Sequence, residues 1–127
     1  MRNLVIIAAA LLSLTLPSSV AAQDFDRGVS AYNDGDYPTA LREFRLAAEQ
    51  GDASAQYNLG LMYYNGQGLP QNYQLAYMWF SLAAAKGGEG AASARDKAAG
   101  DMTPEQIGRA QQLSAECFNR NHQGCAK

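Results

Sequence analysis

The chain has 127 residues, with 10 Lys and Arg, 12 Asp and Glu, one His and two Cys. That length allows one domain, and the net charge of −2 disfavours binding driven by nucleic-acid phosphates. A single histidine also makes His-rich metal sites and His-centred catalytic triads difficult to build. We therefore expect no nucleic-acid partner, no metal and no cofactor.

The N-terminus has the three-part order of a secretory signal. Arg2 precedes an apolar run from Leu4 to Leu16, and small residues lead up to Ala22. The apolar run is too short to cross a bilayer, which takes roughly 20 residues. The sequence predicts a signal peptide over residues 1–22, cleaved after Ala22, and a periplasmic or secreted protein that is not inserted in a membrane. An uncleaved membrane anchor is the alternative.

The mature chain begins with a predicted helix pair over about residues 24–51. The segment from Ala40 to Gly51 matches the segment from Ala76 to Gly87, with Ala, Phe, Leu, Ala, Ala and Gly in register. A repeat of this kind is the sequence signature of stacked helical units. We expect two groups of charged side chains in the first unit to be solvated. They are Asp24, Asp26, Asp34 and Asp36 near its start and turn, and Arg42, Glu43, Arg45 and Glu49 on its second helix.

A second unit covers about residues 52–88. Asp52 can cap a helix from Ala53 to Tyr64 that Gly66 ends, and Asn72 can cap a helix from Tyr73 to Lys86. These local signals predict a second pair of helices with a longer turn between them.

A third unit covers about residues 89–119. It contains a helix within residues 89–100 and a second that opens at a Thr103–Gln106 capping box and continues to about Phe118. No segment alternates with period two, so the sequence predicts no strand. The expected fold is all-α: a signal peptide, then a short α-solenoid of antiparallel helix pairs over residues 23–119, then a tail over residues 120–127.

Small and aromatic residues recur at fixed positions in the second unit. They are Leu59, Gly60, Tyr63, Gly66, Gly68, Leu69, Ala76, Trp79, Ala83, Ala84 and Gly87. This pattern resembles a Sel1-like repeat, a relative of the tetratricopeptide repeat with a longer helix–helix turn. The first unit is similar to the tetratricopeptide pattern itself, through Gly28, Gly35, Ala40, Phe44 and Ala47. The resemblance covers about residues 24–119, implies a solenoid that binds proteins or peptides on its concave face, and places Trp79 in the core.

Cys117 and Cys125 are the only two cysteines of the chain. In an exported protein a disulfide is the default, and a loop of this size would contribute on the order of 2.5 kcal/mol. A metal site that also uses His122 and a pair of free thiols are the alternatives. Without a metal, we expect His122 to be an exposed tail residue.

Partner contacts are expected on the first helix of each pair, which lines the concave side in helical-repeat proteins. On the helix from Ala53, the candidates Tyr57, Leu61 and Tyr64 follow the spacing i, i+4 and i+7. Asn58 and Asn65 are their neighbours in the sequence. Tyr32 of the first unit aligns with Tyr64, and we expect it to extend this row of side chains. The alternative is that the two tyrosines and the leucine pack between units.

The leading hypothesis is an exported protein–protein interaction module, an adaptor or regulator that binds a cell-envelope protein or peptide without chemical turnover. No nucleophile elbow, phosphate loop or paired histidine ligands are present, so we expect no enzyme activity. One alternative is a cell-envelope enzyme such as a peptidoglycan or β-lactam hydrolase. The other is a self-associating structural protein, although we favour a monomer.

Overall fold

The computed structural model describes residues 20–125, so most of the predicted signal peptide over residues 1–22 lies outside the described residues. Six α-helices and no strand occupy the described part. They are α1 (Val20–Asn33), α2 (Tyr37–Glu49), α3 (Ala53–Asn65), α4 (Tyr73–Ala85), α5 (Ala91–Gly100) and α6 (Pro104–Asn119). None of these helices is both long enough and apolar enough to cross a membrane. The expected all-α helical repeat is confirmed.

Local capping explains where the helices of the first two units begin and end. The side chains of Asp36, Asp52 and Asn72 each accept a hydrogen bond from a backbone N–H in the first turn of α2, α3 and α4. Gly66 ends α3 in the left-handed region, at φ 66°. The caps predicted for α3 and α4 are therefore confirmed, and the C-terminal ends of these two helices differ from prediction by one residue.

Each of the first two helix pairs is held by a glycine that lies under a phenylalanine ring. Gly28 of α1 faces the ring of Phe44 on α2, and Gly60 of α3 faces the ring of Phe80 on α4. Trp79 is fully buried, as expected. Because a glycine has no side chain, each helix pair can close around one aromatic ring, and the rings join a single apolar core.

The third unit is packed differently from the other two. Helices α5 and α6 both pack on α4, whereas α1 packs on α2 and α3 packs on α4. Helix α5 buries only Ala91 and Ala98, and α6 buries only Ala110 and Cys117. These side chains are too small to form a helix-pair core of their own. Both helices therefore bury their apolar side chains against α4.

The expectation that His122 is exposed is wrong. Cys117 and Cys125 form a disulfide with their Cα atoms 5.3 Å apart, and the intervening turn folds His122 inward until it is 9% exposed. The Gln123 amide donates to the backbone oxygen of Glu49 at 2.8 Å. The segment from residue 120 to 125 is therefore bridged to α6 and also packed against the end of α2.

Two acidic side chains expected to be solvated are buried. Asp24 is 4% exposed, because α1 packs on α2 and the amide of Gln50 donates to its carboxylate at 3.1 Å. Glu43 is 8% exposed and forms an ion pair with Arg42 at 3.3 Å. Asp26, Asp34 and Asp36 are exposed.

Candidate binding groove

A groove of about 390 Å³ lies between α3 and α5. Side chains of α3 form one wall, α5 forms the other, and α4 contributes to the floor. Its lining residues are Tyr57, Leu61, Tyr64, Asn65, Phe80, Gly90, Ser93, Ala94 and Lys97. We refer to this feature as the α3–α5 groove.

Four of the candidate contact residues lie together in this groove. Tyr57, Leu61, Tyr64 and Asn65 all line it, and the first three are half-buried. Their spacing places them on one side of α3, because residues three, four and seven apart share a face of a helix. Leu61 and the two tyrosines also pack against the core, so the groove and the core share these side chains.

The other two candidates lie elsewhere. Asn58 lines a smaller neighbouring cavity of about 200 Å³, and its amide donates to the backbone oxygen of Ser54 at 2.8 Å. The ring of Tyr32 packs on Tyr37 with a centroid distance of 5.3 Å. The hydroxyl of Tyr32 accepts from the Gln67 amide at 2.8 Å, in the long turn of the second unit. Tyr32 therefore joins the first two units and does not extend the lining of the α3–α5 groove.

Aromatic rings support the α3 wall of the groove. The rings of Tyr57 and Phe80 lie 5.6 Å apart, and those of Tyr64 and Tyr73 lie 5.2 Å apart, both in tilted arrangements. Such contacts are individually worth about 0.5–1.5 kcal/mol beyond the area they bury. The wall is therefore pre-formed, which lowers the entropy cost of binding.

Polar and charged groups stand at one end of the groove. The Lys97 ammonium lies 5.5 Å from the centre of the Tyr64 ring, a cation–π distance. The Tyr64 hydroxyl donates to the Asp101 carboxylate at 2.8 Å. This hydrogen bond, together with burial and the negative charge of Asp101, raises the pKa of Tyr64. Lys97 forms no ion pair with any described residue.

The sequence reasoning missed the α5 wall. Ser93, Ala94 and Lys97 were not singled out, because α5 is short and carries no stripe of large apolar residues. The rule that selected α3 would have found them, since α5 is likewise the first helix of its unit.

The structure does not favour the metal alternative at the cysteines. Both sulfur atoms are joined in the disulfide. Within residues 20–125 there is no cluster of three or more His, Cys, Asp or Glu side chains that could hold a metal ion.

Comparison with known proteins identifies the type of helical repeat in this chain. The Sel1 repeat model matches residues 28–52 and 53–88. A sel1-like repeat-containing protein of Acanthamoeba polyphaga mimivirus is 50% identical over 40 residues, which are 32% of this chain and only 7% of that relative's length. No solved structure gives a significant match. Residues 28–88 of the chain therefore form two Sel1-like repeats. Sel1 repeats generally mediate protein–protein interaction and are not catalytic.

Proposed function

We propose that this protein is an exported, non-catalytic adaptor or regulator that binds a segment of a cell-envelope protein in the α3–α5 groove. The observation that carries the proposal is the groove itself, in which Tyr57, Leu61 and Tyr64 face the short side chains of α5. Its volume of about 390 Å³ lies within the range of about 300–1,000 Å³ that is usual for ligand sites.

The lining suits recognition of a peptide. Tyrosine contributes a large apolar area and a hydroxyl at a low entropy cost, and it is enriched among residues that dominate binding energy. The α3 wall is held by ring contacts, while the α5 side presents Ser93 and Ala94, whose short side chains leave room for an occupant. Binding would depend on shape complementarity between these walls and the partner.

Two features support export. The N-terminal sequence has the order of a signal peptide, and the structure contains a disulfide between Cys117 and Cys125. Disulfides persist in oxidising compartments and are rare in the cytosol. A periplasmic or secreted location is therefore part of the proposal.

The test compares two variants that place the same ring at adjacent positions of α5. Ser93 lines the groove, whereas Ala92 does not, and both side chains are exposed. We expect Ser93→Phe to fill the groove without removing any core contact, and Ala92→Phe to leave the groove open. Thermal unfolding of both variants verifies that the fold is unchanged.

The full chain, tagged at its C-terminus, is crosslinked in intact cells of its own host, and the captured proteins are identified. A partner that is captured by the wild type and by Ala92→Phe but lost from Ser93→Phe would support the proposal. A partner that both variants retain would place the binding site outside the groove and refute it.

A further inference from the structure

The α3–α5 groove has a length and a charge distribution that restrict what can occupy it. Its lining on α3 extends from Tyr57 to Asn65, which is about 12 Å at the helical rise per residue. An extended chain advances about 3.3 Å per residue. The groove therefore accommodates about three or four residues of an extended segment.

The middle of the groove is apolar. Leu61 lies midway along the α3 lining between Tyr57 and Asn65, and Phe80 and Ala94 are further apolar residues of the lining. An apolar side chain of the occupant would be removed from water at this point, with a gain of roughly 25 cal/mol for each Å² buried.

Lys97 of α5 is the charged residue of the groove lining. Ser93 and Lys97 are four residues apart and so lie on one face of the helix. Neither side chain has a hydrogen-bond partner or an ion-pair partner among the described residues. A carboxylate placed between them would meet an ammonium and a hydroxyl donor. The N-terminus of α5, at Gly90 and without a side-chain cap, adds to the positive potential.

The nearby acidic groups have other partners or line another cavity. Asp96 pairs with Arg95 at 3.1 Å. Asp101 lies about 6 Å along the chain beyond Lys97, within the Debye length of about 8 Å at physiological ionic strength, but its carboxylate accepts the Tyr64 hydroxyl. Glu89 lines the smaller neighbouring cavity and not this groove.

We propose that the α3–α5 groove binds an extended peptide segment that carries an acidic side chain beside an apolar one. The apolar side chain occupies the centre at Leu61, and the acidic side chain lies between Ser93 and Lys97. This inference rests on the proposed function, and it adds the chemistry of the segment that is recognised.

The probe is a library of random peptides, displayed between linkers so that no free C-terminal carboxylate is offered. Peptides are selected from the library with four forms of the full chain: the wild type, Lys97→Glu, Arg109→Glu and Ser93→Phe. Arg109 is an exposed cation of α6 outside the groove lining. Arg109→Glu therefore changes the net charge by the same amount as Lys97→Glu and serves as its control.

We expect the wild type and Arg109→Glu to enrich Asp or Glu one or two positions from an apolar residue, and Lys97→Glu to enrich Lys or Arg there instead. For a selected peptide, replacing the acid by its amide should weaken binding to the wild type by about two- to fivefold, the value of an exposed charge pair. The effect should decrease as salt is added.

Three results would count against this inference, and they separate it from the proposed function. Acidic peptides selected equally by the wild type and by Lys97→Glu would overturn it. Apolar peptides without an acid, lost only from Ser93→Phe, would overturn it while the proposed function stands. Peptides that Ser93→Phe selects as well as the wild type would refute both.

Discussion

Replacing Gly60 by alanine tests the close approach of α3 and α4 that positions the groove floor. A Cβ at residue 60 would lie 2.6 Å from both Cδ1 and Cε1 of Phe80. Real Cβ contacts of that length are essentially absent from proteins. The Phe80 ring is 1% exposed and is packed against Tyr57, so it cannot move away without displacing the groove wall.

Two effects of opposite sign determine the change in stability. Alanine is favoured over glycine in a helix interior by about 0.5–1 kcal/mol. Overpacking a well-packed core costs about 1–3 kcal/mol. Because the clash at Gly60 is with a buried ring and not with the end of a flexible side chain, we expect overpacking to dominate, with a net loss of about 1–2 kcal/mol in the free energy of unfolding.

The assay is chemical denaturation followed by far-UV circular dichroism, and Gly108→Ala is its control. Gly108 lies inside α6, and a Cβ there would meet nothing within 4 Å. That variant should gain about 0.5–1 kcal/mol from helix propensity alone. If Gly60→Ala proved as stable as the wild type, the close packing inferred for this helix pair would be wrong.

Three further measurements test other parts of the fold. Changing Cys117 and Cys125 to serine should cost about 2.5 kcal/mol by the loop-entropy model, and a reducing agent should then no longer affect the melting temperature. Burial, and then the charge of Lys86, lower the pKa of His122 below its ordinary value of 6.5. The folded state therefore resists protonation and should lose stability as pH falls below about 6.5, a loss that should be absent in His122→Asn, since asparagine tolerates the positive φ there. Asp52→Ala removes the cap of α3 and should cost about 1 kcal/mol, measured as a lower denaturation midpoint.

The helix boundaries could be predicted because their causes are local. Asp52 and Asn72 accept hydrogen bonds from backbone N–H groups three residues further on, and Gly66 takes a positive φ. None of these interactions depends on a distant part of the chain. The face of α3 that carries Tyr57 and Tyr64 was likewise predictable from helical periodicity.

The buried polar residues could not be predicted in the same way. Asp24 and Gln50 are far apart in the sequence and meet only because α1 packs on α2. His122 is buried because the disulfide turns the chain back towards α2, where Gln123 bonds to the Glu49 carbonyl. A single sequence contains no local signal for such contacts.

Residue type and spacing within one or two turns are enough to specify the helices, their caps and the type of repeat. Long-range packing places both helices of the third unit on α4 and brings Lys97 to the Tyr64 ring. The physical reason is that the small side chains of α5 allow many packings. The large apolar surface of α4 stabilises one of these packings, and that packing places α5 as the second wall of the groove.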